Sequence, residues 1–342
     1  MEIFENTNSI SYSGGKTDIL KFILSLFIVA IHFTEIPLSS PVLRCAVPLF
    51  FMLSSFFFFK KFDNTILIEE KKKILINYIS RNLKLYLFWF IVLLPYTVVY
   101  RGWFDDAFIP GLVTMLKSFV FSSTFPASWY IMASVIGTSI IALSDKFLSN
   151  RIILIISLLA YVFCVITSNY GNIIEDNAFF YFLYEKYRNI FTSPYNSFPV
   201  SLLWIYIGRY LSRKGEISLS TISLFIIICL CLILLYGEYF LIQCYHLAVT
   251  DDCYFMLAPT CYFIIILFGK VRSFSVKPFL RKASTIIFCS HITIGGVFFF
   301  LFKLFDVEFN GSLFLPITIC SITLSWVILK IEKSIKILRY AY

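Results

Sequence analysis

Lys21 and His32 are the two side chains of this sequence best placed to do chemistry together. They stand eleven residues apart in the run Lys21-Phe-Ile-Leu-Ser-Leu-Phe-Ile-Val-Ala-Ile-His32, in which Ser25 is the one polar interruption. Eleven helical steps of about 100° come to roughly 1100°, close to three whole turns, so both side chains fall on one helix face about 16 Å apart. An ammonium and an imidazole on one face of a lipid-length helix are costly, and a functional role is the default expectation. Glu35 follows His32 by three residues and shares that face. A carboxylate there would hold the imidazole tautomer and raise its basicity, as suits a general base that takes a proton from a hydroxyl. A plainer reading stays open: a snorkelling lysine paired with Asp18, and an interfacial histidine beside a solvated glutamate.

The next apolar run adds Arg44-Cys-Ala-Val-Pro48-Leu-Phe50-Phe51-Met-Leu-Ser54-Ser55. Arg44 falls at the same end of the bundle as His32. Pro48 leaves one backbone carbonyl without its helical partner, and the two serines can hydrogen-bond inside a helix bundle. Taken alone, the phenylalanines read as packing.

The elements that must position these residues are membrane helices. Of 342 residues, 59% are hydrophobic and 14% charged, with 40 Phe and 21 Tyr. A soluble domain has too little interior for so much apolar surface, so the fold class is an all-α polytopic integral membrane protein. About ten spans are expected, near 18–36, 42–60, 78–100, 128–146, 152–169, 197–212, 218–240, 252–269, 284–303 and 312–331. Segment 107–121, which contains Lys117, is short and polar and reads as a re-entrant or interfacial piece. Residues 1–17 lack the basic start and small-residue cleavage site of a signal peptide.

Basic residues sort into alternate connections. Lys16, the cluster from Lys60 through Lys71-Lys72-Lys73 to Arg81 and Lys84, and the pair Lys146 and Arg151 share one side. So do Arg209, Arg213, Lys214, the group from Lys270 to Lys282, and the tail from Lys330 to Arg339. Acids dominate the other connections: Asp105, Asp106, Glu175, Asp176, Asp251, Asp252, Asp306 and Glu308. By the positive-inside rule both termini are cytoplasmic, with Lys21 at the inner interface and His32 near the outer one. Residues 1–17 form a cytoplasmic N-terminal segment, 18–335 the membrane domain and 336–342 a cytoplasmic tail. The net charge of +9 is thus accounted for without nucleic acid as a partner. Membrane lipids are the surroundings.

Other signals carry less. The nine cysteines lie mostly in apolar segments without a CxxC pair and read as small buried hydrophobes, although Cys244 and Cys253 flank one outer loop and admit a disulfide. Ser13-Gly14-Gly15-Lys16-Thr17 is similar to the end of a P-loop, but Ile10 stands where the upstream glycine belongs. Three histidines, with no second ligand at metal spacing beside His246 or His291, argue against a metal site. Gly295-Gly296 reads as one small patch for helix contact. Outer-loop aromatics, among them Trp103, Tyr170, Tyr184, Tyr187 and Tyr195, suit either sugar stacking or an interfacial belt.

The first two helices resemble the membrane-bound acyltransferase family 3, whose members O-acylate bacterial surface polysaccharides and related sugars. The family's first-helix pattern of a basic residue, ten residues and a His is met by Lys21 and His32, with its common preceding Asp at Asp18. The second-helix pattern, an Arg followed by an apolar run into Pro-x-Phe-Phe-x-x-Ser-Gly, is met by Arg44, Pro48, Phe50, Phe51 and Ser54. Ser55 stands where the family usually has Gly. Arg81 resembles the Arg before the third helix, Ser128-Trp129-Tyr130 the element opening the fourth, Gly208 a glycine late in the sixth, and His291 a Ser-His element of the ninth.

The resemblance implies an enzyme that moves an acyl group, acetyl above all, from acyl-coenzyme A to a hydroxyl of a saccharide, lipid-linked glycan or cell-surface polysaccharide. It would work in the bacterial inner membrane, in reach of glycan-assembly proteins and without a metal. Lys21 and Arg81 would hold the nucleotide phosphates of acetyl-CoA, and its pantetheine arm matches the Lys21–His32 separation. His32, oriented by Glu35, would deprotonate the acceptor, with an acyl-histidine route still open. Arg44 or a serine hydroxyl would stabilise the oxyanion, and Ser54, Trp129 and Tyr130 would contact substrate. No hydrolase-like domain is expected after the tenth helix. The competing class is a secondary transporter or flippase for an anionic substrate, using Lys21, His32, Glu35 and Arg44 along its path. The sequence lacks the inverted repeat and paired broken helices that such a path favours.

Overall fold

The computed structural model describes residues 14–34, 40–105, 107–125, 127–175, 177–214, 218–272, 274–276, 278–307 and 311–342. These form fourteen α-helices and no strand among the described residues. In chain order they are α1 (Gly15–Phe33), α2 (Ser40–Leu43), α3 (Ala46–Asn64), α4 (Ile68–Arg101), α5 (Phe108–Phe121), α6 (Trp129–Ser144) and α7 (Asn150–Ser168). Then follow α8 (Gly171–Glu175), α9 (Ala178–Phe191), α10 (Phe198–Arg213), α11 (Thr221–Cys244), α12 (Leu257–Lys270), α13 (Phe279–Leu304) and α14 (Phe314–Ile331). Each of the ten expected segments overlaps one or more of these helices, with 42–60 divided between α2 and α3.

Among the described residues, six stretches are long and apolar enough to cross a bilayer: Ser40–Asn64, Ile68–Val99, Asn150–Ser168, Thr221–Cys244, Phe279–Leu304 and Phe314–Ile331. Helix α1 has a similar length but carries Lys16, Asp18 and Lys21 in its first two turns. Helices α6 and α10, with 16 residues each, and α12, with 14, fall short of the ~20 residues that span the hydrocarbon core. Helix α10 compensates by packing: it lies between α3, α6 and α7 and buries Trp204, Leu203 and Ile205 almost completely.

Two segments differ from the sequence reading, and a third, the short piece at 108–121, takes the form of a helix. Helix α4 begins at Ile68, ten residues before the expected start, and takes in Lys71, Lys72 and Lys73. Its polar first half is helical because Glu69 and Glu70 suit a helix N-terminus and the lysines are good helix formers. Segment 108–121 is a regular helix, and its Lys117 donates to the last carbonyls of α9, at Arg188 and Asn189. Helix α9 itself, amphipathic and fully outside the core, was not expected. Lys16, counted among connection charges, is buried within α1. Its ammonium donates to the end carbonyls of α12, 3.2 Å from Gly269 and also to Val271. Those carbonyls have no intrahelical partner, so a buried lysine there is satisfied. All nine cysteines are free, with Cys244 exposed and Cys253 buried.

Two close contacts set the helix packing around the site. A Cβ on Gly208 of α10 would collide with Ser55 Oγ and the Met52 carbonyl of α3. The Ser55 hydroxyl occupies that space and donates to Phe51 O at 2.8 Å. Gly208→Ala is therefore expected to destabilise the bundle by about 1–3 kcal/mol through overpacking, seen as a lower melting temperature in detergent. On the other side, a Cβ on Gly295 of α13 would meet the Phe33 ring of α1, and one on Gly296 would meet Tyr96 of α4. The bare glycine faces draw the His32 end of α1 against α13.

A charge cluster ties the opposite end of the bundle. Arg209, 1% exposed, pairs with Asp63 at 3.3 Å and Asp145 at 2.5 Å. Arg213 pairs with the same two carboxylates at 2.6 and 3.3 Å. Two cations and two anions balance, so these arginines are structural ties between α3, α6 and α10.

Candidate active site

A cavity of about 1260 Å³ opens at the Lys21 end of α1 and runs into the bundle. Four helices supply most of its polar wall. Helix α1 gives Thr17, Asp18 and Lys21; α4 gives Tyr78, Arg81 and Asn82; α13 gives Arg281, Lys282, Ser284 and Thr285; and α3 gives Ser54. Four cations thus face one lining carboxylate, that of Asp18. The inner end is aromatic, closed by Phe50, Tyr130 and Phe288. Their rings interlock: Tyr130 and Phe288 lie 5.3 Å apart, Phe50 and Phe288 6.4 Å, and Phe50 and Tyr130 6.2 Å.

The cations are not equivalent. The Lys21 ammonium lies 5.7 Å over the Phe57 ring and has Asp18 and Arg81 within electrostatic range. Arg81 and Arg281 are exposed at the cavity mouth. Lys282 is already engaged, 3.0 Å from Glu332 and 2.7 Å from the Tyr342 hydroxyl. Burial alone would raise the Glu332 carboxyl, but hydrogen bonds from Tyr342 and Lys282 hold it below the usual carboxylate range. Residues Lys336–Ala341 form a 3₁₀ turn packed on α4, where Trp89 Nε1 donates to Ala341 O at 3.0 Å. The expected cytoplasmic tail is thus docked beside the cavity mouth.

His32 lies beyond the aromatic layer. Phe288 is 6.3 Å from the His291 ring, one turn further along α13, and the His291 ring is 5.4 Å from that of His32. His32 is exposed while His291 is fully buried. Arg44, between α2 and α3, is within electrostatic range of His32. Its guanidinium is held by Asp252 at 2.6 Å, a partner 208 residues away. The Asp252 loop is bolted to the end of α7, since Ser168 Oγ lies 3.0 Å from Thr250 O and Asn169 Oδ1 accepts from Cys253 N at 2.9 Å.

Of the site residues expected from sequence, Lys21, Arg81, Ser54 and Tyr130 line one cavity. His32 and Arg44 sit together past its aromatic end. Trp129 packs behind Tyr130 against Phe51, at 6.2 Å, and does not line the cavity. Glu35 lies outside the described residues. Several outer-loop aromatics are committed elsewhere: Tyr170 donates to Glu238 at 3.2 Å, Tyr187 meets Ser197 at 3.3 Å, and Trp103 and Tyr195 are buried. Sequence reasoning missed Arg281, Lys282 and Asp252 as site residues; each had been counted only as a connection charge. Among the described residues, no three His, Cys, Asp or Glu side chains converge as a metal site would require.

A helical multi-pass membrane protein with a cation-lined cavity leading toward a histidine pair is the class these features define. The family follows from comparison: residues 16–330 match the model described as "Acyltransferase domain", and the chain belongs to acyltransferase family 3. A curated relative named "Amino-acid racemase", from Enterococcus faecalis, is 25% identical over 288 residues. That match covers 78% of this chain and 38% of the relative, so the chain spans about two-fifths of that protein's length. No solved structure matches.

Proposed function

We propose that the protein is a membrane O-acyltransferase that moves an acyl group, acetyl in the first instance, from acyl-coenzyme A to a hydroxyl of a saccharide or cell-surface polysaccharide. The observation that carries this reading is the cavity itself: cations at its mouth, an apolar and aromatic inner end, and His32 beyond that end, beside His291. A donor with a polyanionic nucleotide, a thin amphiphilic arm and a terminal thioester has those properties in that order. Lys21, Arg81 and Arg281 would take the phosphates as point charges and forks. The arm would pass Ser54 and reach Tyr130 and Phe288, whose rings must turn aside to admit the thioester.

The acceptor would come from the other side, where His32 is exposed. His32 takes the hydroxyl proton and the oxygen attacks the thioester carbon. The C–S bond then breaks, and the coenzyme thiolate takes the proton from the imidazolium. Arg44, fixed by Asp252, would face the oxyanion of the tetrahedral intermediate. Inner-membrane placement, with the Lys21 end in the cytoplasm where acyl-CoA is made, completes the reading. The charge alternation of the connections supports it. A glycan-assembly partner would supply the acceptor.

The test is direct. Purified protein in lipid vesicles receives labelled acetyl-CoA and a panel of saccharides and lipid-linked glycans, and label is expected in a glycan. If no glycan is labelled while the protein drives uptake of an anionic solute, a transport path replaces the transferase.

A further inference from the structure

His291 is fully buried beside His32, and its hydrogen bonding is half complete. Its Nδ1 lies 3.1 Å from Ile287 O and 2.9 Å from Phe288 O. Both partners are carbonyl oxygens, so Nδ1 must carry the ring proton. That fixes the tautomer and leaves Nε2 as a bare acceptor. Nε2 is buried and has no hydrogen-bond partner. An acceptor left this way costs about 1–3 kcal/mol, which a partner present during the working cycle would recover.

The ring nearest to it that can gain a proton is His32. The centroid separation of 5.4 Å is about that of two imidazoles joined end to end by one N–H···N bond. His32 is in the last turn of α1 and exposed, so a turn of its side chain can close the bond without moving a helix. None of the other groups facing this layer is bonded to Nε2. Arg44 is engaged by Asp252 through Nη1, and its Nε has no partner. Tyr96 of α4 meets Gly296, more than a turn further along α13. Cys289 is on α13 itself, and the buried side chains of α14, namely Ile317, Thr318, Ser321 and Ser325, do not titrate.

We propose that Nε2 of His291 accepts an N–H of His32, in its neutral and its protonated form, making His291 a positioning residue for the catalytic base. Neutral His32 has one N–H and one lone pair. With the N–H directed at His291, the lone pair is left for the acceptor hydroxyl, and the imidazolium formed on proton transfer keeps that hydrogen bond. The arrangement does for His32 what a carboxylate partner would do, in a buried layer where a carboxylate would be costly. The hydrogen bond follows from the geometry alone; its use in acyl transfer rests on the function proposed above.

The experiment uses the full chain in lipid nanodiscs with ¹⁵N-labelled histidine. The pH at which His32 gains its second proton is followed by NMR in wild type, His291→Phe and His291→Gln. Phenylalanine keeps the buried ring and removes the acceptor, whereas glutamine restores an acceptor oxygen. His291→Phe should lower that pH by about one unit or more, because the charged form loses its hydrogen bond, and His291→Gln should bring most of it back. In parallel, kcat for acyl transfer should fall about 10–10²-fold in His291→Phe with the donor KM unchanged, and recover in part in His291→Gln. An unchanged His32 titration in a folded His291→Phe, or in His291→Gln and His291→Met should the phenylalanine variant not fold, overturns the proposal. If the titration shifts but wild type transfers no label, the function fails and the hydrogen bond stands.

Discussion

His32→Ala is expected to reduce acyl transfer about 10²–10⁴-fold, the range for loss of a positioned general base, with donor affinity within about twofold of wild type. The split follows from the layout. The cavity ends at Phe50, Tyr130 and Phe288, and His32 lies beyond that layer beside His291. The cations that line the cavity, Lys21, Arg81, Arg281 and Lys282, are on the near side. Removing the imidazole therefore leaves the phosphate contacts intact and takes away the proton acceptor. His32→Gln, which keeps polarity and approximate size but cannot take the proton, should be nearly as impaired. Labelled acetyl-CoA transfer and equilibrium binding of the donor, measured on the same preparation, give the two numbers. An interfacial histidine with no chemical role predicts normal turnover in both variants, and that result would remove His32 from the mechanism.

Much of the site was legible because it lies on elements with a strong local pattern. The Lys21–His32 spacing is a property of one helix, and helical geometry carries it from sequence to structure without help from the rest of the fold. Arg81, Ser54 and Tyr130 were found through motif resemblance and arrive at the same cavity from three other helices. The unread part is what arrives by tertiary packing. Arg281 and Lys282 sit in a cluster of basic residues that explained topology, and a charge that explains topology gives no further signal of facing a cavity. Asp252 reaches Arg44 across 208 residues through a loop pinned to α7, which no periodicity predicts. Lys16 was misplaced for a related reason: its value to the fold lies in the end carbonyls of α12, invisible from its own neighbours. The same holds for His291, whose place beside His32 depends on Gly295 letting Phe33 approach.

The double variant Lys21→Ala/Arg281→Ala is expected to raise the KM for the acyl-CoA donor about 30-fold, with kcat changed little once the donor saturates. A charge-assisted hydrogen bond contributes about 1.5–3 kcal/mol, and 1.4 kcal/mol corresponds to about tenfold in affinity. Lys21 is half-buried in the cavity wall against Phe57, so its share should approach the lower end of that range, about tenfold alone. Arg281 is exposed at the mouth and solvent screens it, so about threefold is expected from its loss. Lys282 offers the internal contrast. It lines the same cavity, but Glu332 and Tyr342 already hold its ammonium, and Lys282→Ala should move the donor KM less than Arg281→Ala. Screening adds a second readout: raising ionic strength should weaken wild-type donor binding more than that of the double variant, because fewer phosphate contacts remain to be screened. A donor KM that ignores both substitutions while the acceptor KM rises would transfer these cations from the donor's phosphates to the acceptor, and would turn the proposed direction of the cavity around.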